Sequence, residues 1–282
     1  MSSAGLFQIQ CLAQAPLQIL GIIAGNGVYP RQVADAARNA GVKEIFAASF
    51  VNETDPAITR HVDVVEWLRV GQLGGLLKFF REHNVRQAMM AGQIAPKNLF
   101  DLRPDVKALV VLAKLKHRNA ESIFGAIANE LKKIHVELLP ATSFLEDQLA
   151  QKGLIVGAKL SKREEDDVDF GWKIAKEIAR LDIGQTVIVK NGTVLAVEAF
   201  EGTNDAIQRG GALAREGAIM IKVAKPNQDM RFDVPVIGVE TIRMAAESRL
   251  RVIAVEAKKT LLLEGKAIVD LAKRSKISIV GC

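Results

Sequence analysis

The sequence predicts a two-part α/β fold, with a parallel sheet flanked by helices in the first half and a mixed α/β domain in the second. Three observations carry that expectation. Short apolar runs alternate with helical patterns through glycine turns in the first half, which is the grammar of βαβ units. Pro140 breaks the pattern after Leu139 and sets a boundary between 18–139 and 140–282. Asn191-Gly192 sits between two apolar runs, the strongest short-range hairpin signal, and so puts antiparallel strands in the second half.

Leu17–Ala24 reads as the first strand. Gly25-Asn26-Gly27 turns the chain, and Pro30 opens a helix over Arg31–Asn39 that stops at Gly41. Lys43–Ser49 and Val62–Trp67 are the next strands. Gly71, Gly74 and Gly75 form a second glycine turn, which opens a helix over Leu76–His83, and Val85–Ala91 is a fourth strand ending at Gly92. Residues 105–134 are helical in pattern, with Ile123, Ile127 and Leu131 on one face, and Val136–Leu139 is a short strand. The first half is therefore expected to be a Rossmann-like parallel sheet with helices on its faces.

In the second half, Ser161 and Glu164 form a capping box, so a helix starts at Lys162 and runs to Leu181. Gln185–Lys190 and Thr193–Ala199 make the hairpin. Ala206–Arg215 is a helix, Ala218–Val223 a strand, Val236–Val239 a short strand and Thr241–Ser248 a helix. Arg251–Ala257, Lys266–Ser275 and Ile277–Val280 complete a strand–helix–strand end.

Composition narrows the function. The chain has 282 residues and a net charge of +6, with no dense Lys/Arg block. Aromatics make up only 5%, too few for base-stacking platforms, so no nucleic-acid partner is expected. An anionic small molecule or an acidic membrane surface suits the mild positive charge better. Cys11 and Cys282 stand near opposite ends and read as free thiols of a reducing compartment. His61, His83, His117 and His135 lack ligand spacing. Residues 1–17 make a poor signal peptide, and no run of about 18 apolar residues exists to span a membrane. The expected location is cytoplasmic.

The glycine turns and two charged motifs carry the chemistry. Gly25, Gly27, Gly71, Gly74 and Gly92 should share the carboxyl edge of the first sheet, where backbone N–H groups, including that of Asn26, attract phosphate. Position 30 is proline, so the G-x-G-x-x-G dinucleotide fingerprint is missing. The second half places Glu198, Glu201 and Thr203 in one turn, where Thr203 or Asn204 can also serve as helix N-cap. Lys222, Lys225, Gln228, Asp229, Arg231 and Asp233 follow. Carboxylates of this kind hold a hard divalent cation, and the cations neutralise phosphoryl oxygens. In an extended chain Asp229 and Asp233 would stand roughly 13 Å apart at about 3.3 Å per residue. Either the segment turns sharply, or the two aspartates do different jobs.

With these residues in view, the chain resembles the LpxI family, the UDP-2,3-diacylglucosamine pyrophosphatases of lipid A biosynthesis. The resemblance runs from about Leu20 to Val280. It rests on Leu20–Gly27, Gly71-Gln-Leu-Gly74, Met90-Ala-Gly92, Val197–Thr203 and Lys222–Pro235. It implies hydrolysis of UDP-2,3-diacylglucosamine to UMP and 2,3-diacylglucosamine 1-phosphate (lipid X). It further implies magnesium as cofactor, water attacking the sugar-side phosphorus, and an essential aspartate that is either Asp229 or Asp233. On that reading Glu198, Glu201, Asp229 and Asp233 are the metal-ligand candidates. Gly25, Asn26, Gly27, Gly71, Gly74, Gly92, Thr203, Lys222, Lys225, Gln228 and Arg231 are the substrate-binding candidates. Three stretches depart from the family pattern: Asn204 where aspartate is commoner, Gln93 where lysine is commoner, and the less acidic Asn119-Ala120-Glu121. Two other classes stay open on the residues alone, a nucleotide-dependent oxidoreductase and a non-catalytic nucleotide- or lipid-binding protein. The ligand is expected between the halves, with the acyl chains in an apolar recess and contact with the inner membrane.

Overall fold

The computed structural model describes residues 17–94, 104–116, 119–226 and 228–282. The expected N-terminal extension with Cys11, as well as His117, lies outside them. Strand β1 (Ile19–Ala24) is flanked by β2 (Glu44–Phe50) and then β3 (Val64–Leu68) on one side. On the other side stand β4 (Gln87–Ala91) and β5 (Glu137–Leu138). All pairings in this sheet are parallel, in the order β3-β2-β1-β4-β5.

β1 is apolar throughout because both faces are covered. Leu20, Ile22 and Ala24 pack on α1 (Tyr29–Asn39) through Val33, Ala34 and Ala37. Ile23 faces the other way, toward α2 (Leu73–Glu82) and its Leu76 and Phe80. The expected helical block 105–134 forms two helices, α3 (Val106–Ala113) and α4 (Ala120–Lys133). The physical reason is a second start signal. Asp105 Oδ1 accepts from Ala108 N at 2.8 Å and Asn119 Oδ1 from Ser122 N at 3.0 Å, so each residue caps a new helix.

The second half begins with β6 (Gly153–Val156) and α5 (Lys162–Arg180), the latter opened by the expected capping box. Next come β7 (Thr186–Lys190), β8 (Thr193–Val197), α6 (Thr203–Ala214) and β9 (Ile219–Lys222). β10 (Val236–Ile237), α7 (Val239–Glu247), β11 (Val252–Val255), β12 (Leu261–Leu262), α8 (Gly265–Arg274) and β13 (Ser278–Gly281) complete it. The main sheet runs β6-β13-β11-β9-β7-β8. Its middle strands are parallel, while β7 pairs antiparallel with β8 and β9, and β6 antiparallel with β13. The hairpin turn has left-handed Asn191 (φ 53°) and Gly192 (φ 70°), as a tight two-residue turn requires. Asp167 of α5 accepts both of their N–H groups, at 2.8 and 2.6 Å.

Five further elements differ from expectation. Gly74 and Gly75 lie inside α2 and not in a turn before it, because Asp105 accepts the Gly74 N–H and supports a helix start at Leu73. β12 is a two-residue strand that the sequence pattern does not announce. β6 is a short edge strand with no alternation to announce it. The strand expected at Val236–Val239 stays out of the main sheet and pairs in parallel with β12. α6 begins at Thr203, so its N-cap is Gly202 (φ 90°) and neither Thr203 nor Asn204. A glycine accepts that left-handed backbone without strain, and the threonine hydroxyl is released for another partner.

The two halves share a seam. Leu261 and Leu263 join the core formed by Leu20, Ile22 and Ile45. Tyr29, the single tyrosine, donates its hydroxyl to Ala141 O, and Ala141 N donates to Met230 O at 2.7 Å. The first helix, the boundary segment and the Lys222–Pro235 motif are thereby linked.

Asp105 offers a test of the first half. Its carboxylate accepts from Gly74 N at 2.6 Å as well as from Ala108 N, so it holds the starts of two helices. Asp105→Ala should cost about 2 kcal/mol in urea unfolding. An unchanged midpoint would contradict that role.

Candidate active site

Strand order places a switch point at β1 and β4, and ligands of open parallel sheets bind beyond the carboxyl ends of such strands. Here the two strand-end loops touch. Gly25 N donates to Ala91 O and Asn26 N to Gln93 O, both at 2.7 Å, and Gln93 N returns to Asn26 O at 3.2 Å. A Cβ on Gly25 would stand 2.5 Å from Gln93 O. Glycine is therefore needed at position 25 for chain crossing, and these N–H groups are committed. The Gly74 N–H is likewise committed, to Asp105. Gly27 (φ 90°) lies in open space before α1, whose start has no side-chain cap and whose first-turn donors suit an anion.

Gly25, Gly71 and Gly92 line one apolar recess with a cavity volume of about 120 Å³. Leu76, Met90, Val111, Leu112 and Phe124 form much of its wall. Phe232 reaches into it from the second half and packs on Phe124 with ring centroids 5.7 Å apart.

The residue after Phe232 is Asp233. The 229–233 segment turns sharply, with Phe232 N and Asp233 N donating to Asp229 O at 3.2 and 3.0 Å. The extended geometry does not occur, and the aspartates have different partners. Arg231 grips Asp229 through Nε (2.9 Å to Oδ1) and Nη2 (2.6 Å to Oδ2), and its guanidinium holds that carboxyl below the usual range. Asp233 Oδ2 instead stands 3.7 Å from Lys225 Nζ.

Lys225 is also bound by Asp182, whose other oxygen accepts from Asn119 Nδ2 at 3.2 Å. Burial pushes the Lys225 ammonium down. Asp182 and Asp233, with Glu121 adding to them, outweigh burial and hold it above the usual lysine range. Gln228 accepts from Lys225 N at 2.7 Å and reaches Gln185 at 3.4 Å. Ala224, the preceding residue, is fixed by its N–H to Glu256 (2.8 Å) and its carbonyl from Lys176 (3.1 Å).

A second cluster lies behind Gln185. Lys222 is buried and donates to Thr203 Oγ1 at 2.8 Å and Thr186 Oγ1 at 3.3 Å, with Glu198 Oε2 at 4.0 Å. Thr203 donates to Glu198 Oε1 at 2.6 Å, and Gln185 N to Oε2 at 3.4 Å. Burial pushes the Glu198 carboxyl up, but Lys222, Thr186 and Thr203 more than offset it and hold it below the usual range. Glu201 is separate and paired with Arg209.

Among the described residues no three His, Cys, Asp or Glu side chains stand where they can share a metal ion. The four ligand candidates divide: Glu198 toward Lys222 and Thr203, Glu201 toward Arg209, Asp229 toward Arg231, and Asp233 toward Lys225. Magnesium commonly takes one or two carboxylates plus substrate phosphates, and Asp233, the least encumbered of the four, fits that mode.

Sequence reasoning missed Asp182, Asn119, Gln185, Thr186 and Phe232. Asp182 carried a signal. It lies just past the end of α5, where the helix dipole disfavours a carboxylate, so it needs a cation. Its left-handed φ of 57° is one that aspartate tolerates.

Glu198 generates a pH prediction. Its folded-state pKa lies below the unfolded value of about 4.3, so its contribution is present above that pH and is lost as pH falls through the folded pKa. Glu198→Gln should cost about 3 kcal/mol at neutral pH and markedly less near pH 3.5. Urea unfolding of both chains at the two pH values checks this. A difference independent of pH would contradict an ionised, buried Glu198.

Comparison with known proteins matches both halves. The LpxI N-terminal domain model covers residues 19–148 and the LpxI C-terminal domain model residues 151–280. A protein of Caulobacter vibrioides named UDP-2,3-diacylglucosamine pyrophosphatase LpxI is 30% identical over 276 residues, which span 93% of this chain and 96% of that one. With both of its halves matched in order, the chain belongs to the LpxI family.

Proposed function

We propose that this protein hydrolyses the pyrophosphate bond of UDP-2,3-diacylglucosamine, giving UMP and 2,3-diacylglucosamine 1-phosphate in lipid A biosynthesis. The observation that carries the proposal is the adjacency of Phe232 and Asp233. One side chain enters an apolar recess and the next stands beside Lys225. A diacylated sugar nucleotide has that same adjacency, with acyl chains on one side of a sugar and phosphates on the other. The recess would take acyl chain. Lys225 and Arg231 would neutralise phosphoryl oxygens, and Gln228 would keep Lys225 in place.

Asp233 is the residue we assign to the reacting centre. Its carboxylate would orient the attacking water and take its proton as the new bond to the sugar-side phosphorus forms. The bond from that phosphorus to the bridging oxygen would break, and UMP would leave as an anion beside Lys225. Asp229, held by Arg231, would fix the turn that presents Asp233. Magnesium would be held by Asp233 with substrate oxygens, and when bound it supplies further neutralisation of phosphoryl charge. Glu198 and Lys222 would support the site from behind, since their bonding groups face each other and the two threonines.

Three measurements of UMP release test this reading. Asp233→Ala should lower kcat about a hundredfold or more while substrate binding changes little, the pattern of an interaction made mainly in the transition state. Lys225→Ala should weaken binding and turnover together. Excess chelator should abolish activity, and magnesium should restore it. Near-normal kcat for Asp233→Ala would move the reacting centre elsewhere. Full activity in chelator would remove magnesium.

Asp182→Asn separates positioning from chemistry. It removes the charge that faces Lys225 and leaves one amide oxygen where Lys225 and Asn119 each donate to a carboxylate oxygen, so KM should rise several-fold with a smaller change in kcat. Equal falls in kcat and kcat/KM would place Asp182 in the transition state itself.

A further inference from the structure

Helix α3 is apolar on both sides. Its inner side, with Ala108, Val111 and Leu112, lines the recess. Its outer side carries Val106, Leu109 and Val110, which are 78%, 53% and 48% exposed. These positions are spaced i, i+3, i+4 and form one stripe on the helix. By contrast, α5 covers its outer side with exposed Lys162, Glu165, Asp169 and Lys173. A helix that is apolar on two sides, broken only by one paired lysine, calls for a second apolar environment on its outer side. Yet no helix among the described residues is long and apolar enough to cross a membrane.

Just past the stripe stand Lys114 and Lys116, both exposed, and neither forms an ion pair among the described residues. Lys107, on the same helix, is paired with Glu130 at 2.7 Å. An exposed aliphatic stripe flanked by uncommitted lysines matches the two layers of an anionic bilayer surface, acyl boundary and phosphate headgroup. We propose that the outer side of α3 docks on an anionic lipid surface and brings the mouth of the recess to it. This deepens the proposed function and rests on it for the direction of traffic: a lipid substrate would pass from the bilayer along α3 into the recess that α3 itself lines. The docking surface stands on the exposed stripe and the lysines alone.

The test is flotation of the full chain, without substrate, on vesicles of phosphatidylglycerol and phosphatidylethanolamine, and on vesicles of phosphatidylcholine. The chain should float with the anionic vesicles and much less with the neutral ones. Leu109→Glu with Val110→Glu should weaken anionic-vesicle binding about tenfold or more. Lys114→Ser and Lys116→Ser should each weaken it up to about fivefold and reduce its salt sensitivity. All four changes lie at exposed positions outside the recess wall, so thermal unfolding should be retained. UMP release from a water-soluble short-chain substrate should also be retained. Flotation with no UMP release from any substrate would keep the docking surface and remove the proposed reaction. Unaltered flotation of the double-glutamate variant would overturn the docking surface. So would absence of wild-type binding, or a variant that changes only self-association, which would make the stripe a contact between copies of the chain.

Discussion

The candidate site depends on one ammonium group. Lys225 is half-buried and held between Asp182 and Asp233. Taking a cation out of water is costly, and here two carboxylates outweigh that cost. The arrangement works only if each member is fixed. Glu256 and Lys176 fix the backbone of Ala224, and Gln228 fixes the Lys225 N–H. Asn119 fixes Asp182, and the 229–233 turn fixes Asp233. Asn119 comes from the first half and the others from the second, so domain seam and charge cluster are one structure. An opening of the seam would loosen the side chain that holds Lys225.

Local rules made much of the fold legible. The Ser161–Glu164 capping box and the Asn191-Gly192 turn each formed as their chemistry requires. The alternation of apolar runs and glycine turns gave a parallel first sheet. What stayed illegible depends on partners far along the chain. β6 exists because β13 offers it an edge, and β10 because β12 lies beside it. The split of the 105–134 block was written in Asp105 and Asn119, both good N-caps, but the apolar period across them masked the restart.

At the candidate site, composition pointed to a charged segment and not to its geometry. Phosphate binding was expected from the glycine turns, because the N–H groups of a strand-to-helix turn are commonly free. Several here are committed: Gly25 to Ala91, Asn26 to Gln93 and Gly74 to Asp105. A sequence does not show which carbonyl or carboxylate will claim an N–H. The same holds for the carboxylates. Arg231 lies two residues from both Asp229 and Asp233, and only the turn decides that it grips Asp229 and leaves Asp233 to Lys225. Phe232 read as a spacer between charges, whereas it is the link from the charge cluster to the recess.

The most direct measurement is a crystal structure of the Asp233→Asn chain with its diacylated nucleotide bound. A pyrophosphate oxygen should lie within about 3 Å of Lys225 Nζ, with acyl chain running past Phe232 into the recess. A pyrophosphate seated on the start of α1, with Lys225 still facing only Asp182, would contradict this placement.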